Sequence, residues 1–329
     1  MINFEYTRVS SVKAAVDVLA KNPTGGFIAG GTNIVDLMKK GVTSPTRLID
    51  INSLPLKQIE ENAAGLKIGA LALNSEVSEN ELVKKNYPLL AMALKAGASA
   101  QLRNMATVGG NMMQRTRCTY FYDTVMPCNK RQPGSGCGAL QGYNRMHAIF
   151  GASDKCIAVH PSDMCIALAA LNATVTVSGP KSERKILFVD FHRLPGDNPE
   201  RDNTLLKGEL ITGITIPKNP FTKNVFYLKI RDRASYAFAL VSVAAALELN
   251  GNIIKNARLA MGGVAHKPWR LTEAEKFLIG KSAIKETFTK AAELAMKGAK
   301  GYGYNNFKLK MGPVAIVEAL MKSLLPTSS

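Results

Sequence analysis

The stretch Phe27–Met38, with the sequence FIAGGTNIVDLM, joins a short apolar strand, two glycines and an amphipathic helix. Gly30 and Gly31 can adopt positive φ and admit close neighbours, so their N–H groups can form a nest for a phosphate. The helix that follows favours negative charge at its N-terminus. We expect Thr32 or Asn33 to cap this helix. Taken alone, the turn is more typical of an ordinary strand-to-helix connection, and a phosphate site needs a second feature.

A second glycine turn, Thr107–Asn111 (TVGGN), supplies that feature, because two such turns can grip one long diphosphate ligand. Neither turn matches the G-x-G-x-x-G fingerprint, and Gly301-Tyr302-Gly303 lacks its third glycine. The pair of turns therefore predicts a diphosphate-bearing cofactor that is not bound by a Rossmann fold.

Four of the five cysteines lie in a stretch, 114–156, that has no periodicity and is rich in glycine and proline. A loop of this length is uncommon in a compact domain unless it is functional or cross-linked. The spacing, C-x9-C-x8-C-x18-C, contains no C-x2-C of the kind found in zinc ribbons and bacterial ferredoxins. A metal site, two disulfides and separate thiols all remain compatible with it. The cysteines are Cys118, Cys128, Cys137 and Cys156.

Three neighbouring residues have alternative interpretations. Cys165 follows a helix-capping Ser162-Asp163 pair and is expected to be a buried helix thiol. His147 and His160 lie near the cysteines in sequence, and either can replace one of them as a ligand. A hydrogen-bonding role is the more ordinary expectation for both histidines.

The remaining pattern predicts an α+β protein with mixed units first and a strand-then-helix domain last. Strands are expected at Arg47–Ile51 and Leu66–Ala70, with helices after each glycine turn. A boundary is expected at Asn219–Asn224, followed by strands at Val225–Ile230 and Phe238–Leu249 and then by two or three helices.

The formal net charge of +17 has several explanations. Lysines are scattered singly and do not alternate with aromatic residues, so the pattern argues against nucleic-acid binding. Solvated helical faces explain the charge best, and an acidic partner or membrane surface comes next. The longest apolar run, Ala237–Leu249, is too short to span a bilayer. The first residues lack a basic segment followed by an apolar one, which predicts no secretion signal of the chain's own.

Six stretches of the chain together resemble one known family, the FAD-binding medium subunit of molybdenum hydroxylases such as xanthine dehydrogenase and carbon monoxide dehydrogenase. These stretches are Ala29–Met38, Leu102–Asn104, Thr107–Asn111, Pro161–Asp163, Lys229–Tyr236 and Gly262–Ala265. The resemblance implies a vanillyl-alcohol-oxidase-type FAD-binding domain over 1–218, with subdomains of about 1–52 and 53–218. It also implies an α+β C-terminal domain over 222–325. The FAD contacts that it implies are Gly26, Phe27, Ile28, Ala29, Gly30, Gly31, Thr32, Asn33, Ile34, Thr107, Gly110, Asn111, Asp163 and Lys229.

Within that family, the insertion at 114–156 resembles the periplasmic aldehyde oxidoreductase branch, whose flavin subunit carries an additional [4Fe-4S] cluster. The matching pieces are Arg115–Cys118, Pro127–Lys130, Gly134–Cys137 and Cys156. The resemblance implies that Cys118, Cys128, Cys137 and Cys156 bind the cluster. Four thiolates give the soft, anionic ligand set that such a cluster needs.

The implied function is electron relay within a hetero-oligomer. A large molybdenum-cofactor subunit would oxidise an aldehyde to a carboxylic acid, and a small [2Fe-2S] subunit would pass electrons to FAD on this chain. The chain would hand them to an external acceptor and would have no catalytic residue of its own. Periplasmic location would follow from co-export with a partner that carries a twin-arginine signal, and the alternative is cytoplasmic.

Two rival functions remain open on the sequence. One is a stand-alone flavin reductase of the UDP-N-acetylenolpyruvoylglucosamine reductase type, which has a similar glycine turn but needs no cysteines. The other is a binding protein that metal or disulfides hold together, without redox chemistry. For the cluster itself, a structural or tuning role is favoured modestly over conduction, because its ligands span a long loop.

Overall fold

The structure is a computed structural model that describes residues 1–325. Its strands are β1 (Glu5–Arg8), β2 (Gly26–Ile28), β3 (Arg47–Asp50), β4 (Ile59–Asn62), β5 (Gly65–Gly69), β6 (Thr174–Ser178), β7 (Glu183–Leu187), β8 (Leu210–Pro217), β9 (Val225–Ile230), β10 (Val241–Asn250), β11 (Ile253–Gly262) and β12 (Trp269–Arg270). Its helices are α1 (Val12–Lys21), α2 (Ile34–Lys39), α3 (Asn74–Glu79), α4 (Glu81–Asn86), α5 (Pro88–Ala96), α6 (Ala100–Arg103), α7 (Val108–Met113), α8 (Thr119–Tyr122), α9 (Asp163–Ala170), α10 (Phe188–Phe191), α11 (Thr272–Leu278), α12 (Lys285–Ala295) and α13 (Phe307–Ser323).

A small parallel sheet near the N-terminus has the order β1-β3-β2. Helix α1 begins at an N-cap, Ser11, whose side chain accepts a hydrogen bond from the N–H of Ala14. It buries Ala15 and Val16 in the same cluster as Ile49 of β3. Because β2 ends at Ile28, the Gly30-Gly31 turn leaves this sheet at its carboxyl edge.

The second sheet is antiparallel, with the order β4-β5-β8-β6-β7. Burial alternates along β6, since Val175 and Val177 are buried while Thr174 and Thr176 are half-buried. Helices α5 and α9 pack against each other, and all eight residues of α9 are buried. The N-terminus of α9 is therefore fixed deep in the protein.

The third sheet is also antiparallel, with the order β12-β11-β10-β9, and α13 packs against β9 and β10. Here β10 and β11 form a hairpin, and α11 to α13 follow in sequence, so the prediction of strands first and helices after is confirmed. The two mixed units before it confirm the α+β class. None of the helices within 1–325 is long and apolar enough to cross a membrane.

Five lysines of the basic face predicted near the C-terminus, along or beside α12, are all exposed, namely Lys281, Lys285, Lys290, Lys297 and Lys300. Their exposure is compatible both with a solvated helical face and with a surface for an acidic partner.

The cysteine-bearing insertion contains α8 and otherwise consists of turns held by side chains. The Arg131 guanidinium donates to the carbonyl oxygens of Tyr120 and Phe121, both at 2.8 Å. The Asn129 amide accepts from the N–H of Gly136 at 2.8 Å and donates to the carbonyl of Lys155 at 2.9 Å. These bonds satisfy backbone groups that lack strand or helix partners, and they fold the insertion into a compact unit.

Candidate functional site

The two glycine turns predicted from the sequence lie in contact. A Cβ atom at Gly30 would overlap the carbonyl oxygen of Met105, just before the second turn. Gly31 has φ +72°, a left-handed conformation that glycine adopts without strain. Side chains are therefore excluded where the turns meet, and backbone amides line that side of the site.

Both turns line one cavity of about 590 Å³, which is within the usual range for cofactor sites. Of the residues predicted to contact FAD, ten lie on its wall: Gly26, Phe27, Ala29, Gly30, Gly31, Thr32, Asn33, Ile34, Thr107 and Gly110. Ile28 is instead paired with Asp50 in the parallel sheet.

A second cavity, of about 250 Å³, continues from the first past Thr32, Asn33 and Gly110. Asn111 and Asp163, two further predicted contacts, line this second cavity. The two cavities form one elongated cleft, which we call the flavin cleft. Its far end is bordered by Tyr236 and Phe238, which come from the segment between β9 and β10.

A buried ion pair stands behind the far end of the flavin cleft. The Lys229 ammonium donates to Asp163 Oδ2 at 2.8 Å and to the carbonyl of Ala96 at 2.9 Å. The Tyr227 hydroxyl donates to Asp163 Oδ1 at 2.8 Å. Burial raises the pKa of Asp163, although the charge of Lys229 opposes that shift. The pair joins β9, at the start of the C-terminal domain, to the N-terminus of α9.

We predict that Lys229→Met lowers the free energy of unfolding by about 3–5 kcal/mol, because it leaves the Asp163 carboxylate buried without its cation. Chemical denaturation of the purified protein measures this difference. Lys67→Met is the matched control, since Lys67 and its partner Glu60 are both about half exposed, and it should cost less than about 1 kcal/mol. Equal effects of the two substitutions would contradict a structural role for the buried pair.

Of the two helices that follow the glycine turns, α7 has a side-chain N-cap and α2 does not. Thr107 caps α7 by accepting from the N–H of Gly110 at 3.2 Å. The prediction that Thr32 or Asn33 caps α2 is wrong, since the N-cap residue Asn33 makes no side-chain cap bond. Its Oδ1 atom accepts instead from the N–H of Arg115 at 2.9 Å. This long-range bond replaces the helix cap and joins the insertion to the first glycine turn.

The structure brings the four clustered cysteines together. Cys118, Cys128, Cys137 and Cys156 line one small cavity, which we call the cysteine cavity. Cys128 and Cys137 form an isolated antiparallel bridge. A hydrogen bond from Cys156 lowers the pKa of Cys137 to about 6, and burial raises the pKa of Cys118 to about 12. All four are free thiols, so the arrangement does not use the disulfides that the spacing allowed.

Buried positive charge adjoins the cysteine cavity. Lys130 lines the cavity with its side chain 2% exposed, and its ammonium pairs with Asp202. His147 also lines it, with Nε2 3.2 Å from Cys118 Sγ. Four soft sulfur donors beside one buried ammonium are compatible with an anionic metal–thiolate group.

Cys165 and His160 lie outside the cysteine cavity. Cys165 is fully buried on α9, as predicted. His160 packs its ring on His192 with centroids 4.1 Å apart. Ligand atoms of these three residues lie within 4.8 Å of one another, and the two imidazole rings are tilted by 46°. His192 Nε2 donates to the carbonyl oxygen of Met112 at 2.9 Å, so this nitrogen is bonded to the backbone.

A third cavity lies between the flavin cleft and the cysteine cavity. Cys118 and His147 border it on one side, and Ser162, Asp163 and Phe238 border it on the other. Cys118 and His147 also line the cysteine cavity. Ser162, Asp163 and Phe238 also line the flavin cleft, so the two sites are adjacent.

Comparison with known families decides the classification. Residues 2–219 match the family described as the FAD binding domain in molybdopterin dehydrogenase. The chain belongs to this family. Residues 226–301 match the CO dehydrogenase flavoprotein C-terminal domain. The protein is thus an FAD-binding oxidoreductase component of the molybdopterin dehydrogenase family.

Individual relatives agree with the family. The chain is 46% identical over 323 residues to the aldehyde oxidoreductase FAD-binding subunit PaoB of Escherichia coli (strain K12), covering 97% of this chain and 98% of that protein. It is 32% identical to the glyceraldehyde dehydrogenase medium chain of Sulfolobus acidocaldarius, covering 84% of this chain and 82% of that protein. A solved carbon monoxide dehydrogenase from Hydrogenophaga pseudoflava superimposes with a TM-score of 0.77 at 25% identity, over 98% of each chain.

Sequence reasoning missed several residues of the two sites. Tyr236 and Phe238 border the flavin cleft, and Lys308 of α13 lies behind His147. Lys308 is fully buried, although lysine is a residue type that is almost always exposed. Only the packing of the C-terminal domain against the insertion reveals these roles.

Proposed function

We propose that this chain is the FAD- and [4Fe-4S]-containing electron-transfer subunit of a molybdenum-dependent aldehyde oxidoreductase. The observation that carries the proposal is the adjacency of a cleft built by two glycine turns and a cavity lined by four cysteines. The aldehyde substrate is inferred from the aldehyde oxidoreductase and glyceraldehyde dehydrogenase relatives.

In this proposal, residues 26–34 hold the FAD diphosphate portion through the backbone amides of the first glycine turn, and Thr107 and Gly110 line the facing wall of the cleft. Asn111 and Asp163 contact FAD from the second half of the flavin cleft. Lys229 acts by fixing the Asp163 carboxylate. Bound FAD would supply the capacity to take up and release electrons singly or in pairs, and the role of the chain is to anchor and orient it.

The four cysteines would hold the [4Fe-4S] cluster as thiolates, and Lys130 would offset part of its negative charge. The compact hydrogen bonding of the insertion keeps the four ligands at fixed positions.

The partners in this proposal are a large molybdenum-cofactor subunit, where the aldehyde is oxidised to a carboxylic acid, and a small [2Fe-2S] subunit. Electrons would reach FAD from the [2Fe-2S] subunit and leave to an external acceptor. We also propose export to the periplasm together with a partner. The domain division at 218–222 remains part of the proposal and agrees with the gap between the two family matches.

The two rival functions lack equivalent support. A stand-alone flavin reductase has no need of four converging cysteines beside the flavin cleft. A non-redox binding protein does not account for membership of an FAD-binding family.

Cofactor analysis of the purified complex tests the proposal. We expect flavin absorbance with about one FAD and about four irons on this chain beyond those of the [2Fe-2S] subunit. Expression of this chain with each partner separately assigns the iron to its subunit. Flavin without the additional iron would favour the reductase, and absence of both would favour the binding protein.

A further inference from the structure

We infer that His147 and Lys308 are positioning residues that raise the reduction potential of the group held by the four cysteines. The inference rests on the proposed [4Fe-4S] site and specifies how this chain tunes it. His147 would act directly through a hydrogen bond to Cys118, and Lys308 would act by holding His147 and by its charge.

The first step is the contact between His147 and a cysteine of the cavity. His147 is 4% exposed, and its Nε2 atom lies 3.2 Å from Cys118 Sγ. A metal-bound thiolate has no proton and can only accept, so Nε2 must carry the hydrogen in this contact. His147 Nδ1 has no hydrogen-bond partner among the residues that the structure describes. The only protein contact recorded for the imidazole nitrogens is thus the one to the cysteine sulfur.

The second step is the anchoring of His147 by the C-terminal domain. The Lys308 ammonium donates to the carbonyl oxygen of His147 at 2.9 Å and to that of Gly263 at 2.7 Å. The Asn305 amide also donates to the His147 carbonyl, at 3.3 Å. Both Asn305 and Lys308 are fully buried. The backbone of His147 is therefore fixed, and its ring is held against Cys118.

The third step concerns the charge of Lys308. Its ammonium contacts carbonyl oxygens, and within residues 1–325 no carboxylate pairs with it. Burial without an anion lowers the pKa of Lys308 to about 7, and an anionic group held by the cysteines beyond His147 would favour its charged form. The negative charge of the group held by the cysteines would therefore stabilise the Lys308 ammonium at this buried position.

Together these contacts favour the reduced state of the group. One-electron reduction adds negative charge to the cluster, and an N–H···S hydrogen bond and a nearby cation both stabilise that charge. Removing either should therefore lower the reduction potential without removing a ligand.

A redox titration of the purified complex, monitored by the electron paramagnetic resonance signal of the cluster, tests the inference. His147→Leu should shift the one-electron reduction equilibrium by about tenfold toward the oxidised state, which is about 59 mV. His147→Gln keeps an N–H donor on the side chain and should restore much of the wild-type potential. Lys308→Met should lower the potential in the same direction. His192→Leu, a buried histidine that contacts Met112 rather than a cysteine, is the control and should leave the potential unchanged.

Iron content separates the possible failures. A wild-type potential in His147→Leu with full iron would overturn the inference while leaving the proposed function intact. If His147→Leu loses its iron, the potential of Lys308→Met decides, and an unchanged potential in that variant overturns the inference. Loss of iron from both variants also overturns it, because the two residues would then hold the cluster rather than tune its potential. A wild-type complex without the additional iron would overturn the proposed function itself.

Discussion

Replacement of Gly30 by alanine is expected to strip most of the FAD from the protein. The added Cβ would overlap the carbonyl oxygen of Met105, and this neighbour is backbone rather than a flexible side chain. The two glycine turns must separate to relieve the overlap, which widens the mouth of the flavin cleft. Overpacking of this kind costs about 1–3 kcal/mol, and a loss of that size in the bound state weakens FAD binding by about 5- to 150-fold. Flavin absorbance per chain after gel filtration measures the effect.

Gly251→Ala is the matched control for Gly30→Ala. Gly251 lies in the hairpin turn between β10 and β11, has φ +58° and would place its Cβ in open space. Its replacement costs backbone strain of about 1–2 kcal/mol far from the flavin cleft. Flavin content should then stay at the wild-type level. Equal flavin loss in both variants would mean that general destabilisation, and not the geometry of the turns, releases FAD.

The flavin cleft was largely predictable because its decisive features are local. A double glycine between a strand and a helix is a feature of a few neighbouring residues, and the turns at Gly30 and Gly110 both lie on the cavity wall as expected. Their direct contact was not predictable, since it depends on Met105 meeting Gly30, and these residues are 75 positions apart in the sequence.

The error at Asn33 shows how a local rule fails. Asparagine before a helix is a good capping residue by preference, but the Asn33 side chain accepts from the N–H of Arg115 instead. The Arg115 N–H of the insertion is a partly buried donor without a strand or helix partner, and the Asn33 side chain satisfies this donor instead of capping α2. The sequence around Asn33 could not predict this bond, because the donor, the Arg115 N–H, is distant in sequence.

The cysteine cavity lay beyond what spacing alone could predict. Gaps of this length favour a metal site only modestly over two disulfides or separate thiols, because a loop of unknown shape can bring any pair together. The shape is set by polar side chains such as Asn129 and Arg131, which bond backbone groups across the insertion. Lys308 was missed for a related reason, since its burial follows from domain packing and not from helical periodicity.

Replacement of Cys128 by serine is expected to remove the additional iron from the complex. Cys128 is 7% exposed and lines the cysteine cavity together with the other three clustered cysteines. A serine hydroxyl is a hard, protonated donor at neutral pH and does not replace a soft thiolate on iron. Iron analysis and the electron paramagnetic resonance signal of the cluster measure the loss. The insertion should also become easier to digest with protease, because a bound group that joins its turns is missing.

Cys165→Ser supplies the control that makes the Cys128 result specific. Cys165 is also buried and is a free thiol, but it lies on α9 outside the cysteine cavity. Burial of a hydroxyl in its place will lower stability, yet the iron content should stay at the wild-type level. FAD should remain in both variants, since neither residue lines the flavin cleft. Full iron in Cys128→Ser would refute its role as a ligand, whereas loss of iron from both variants would show that the metal depends on overall packing rather than on the four clustered sulfurs.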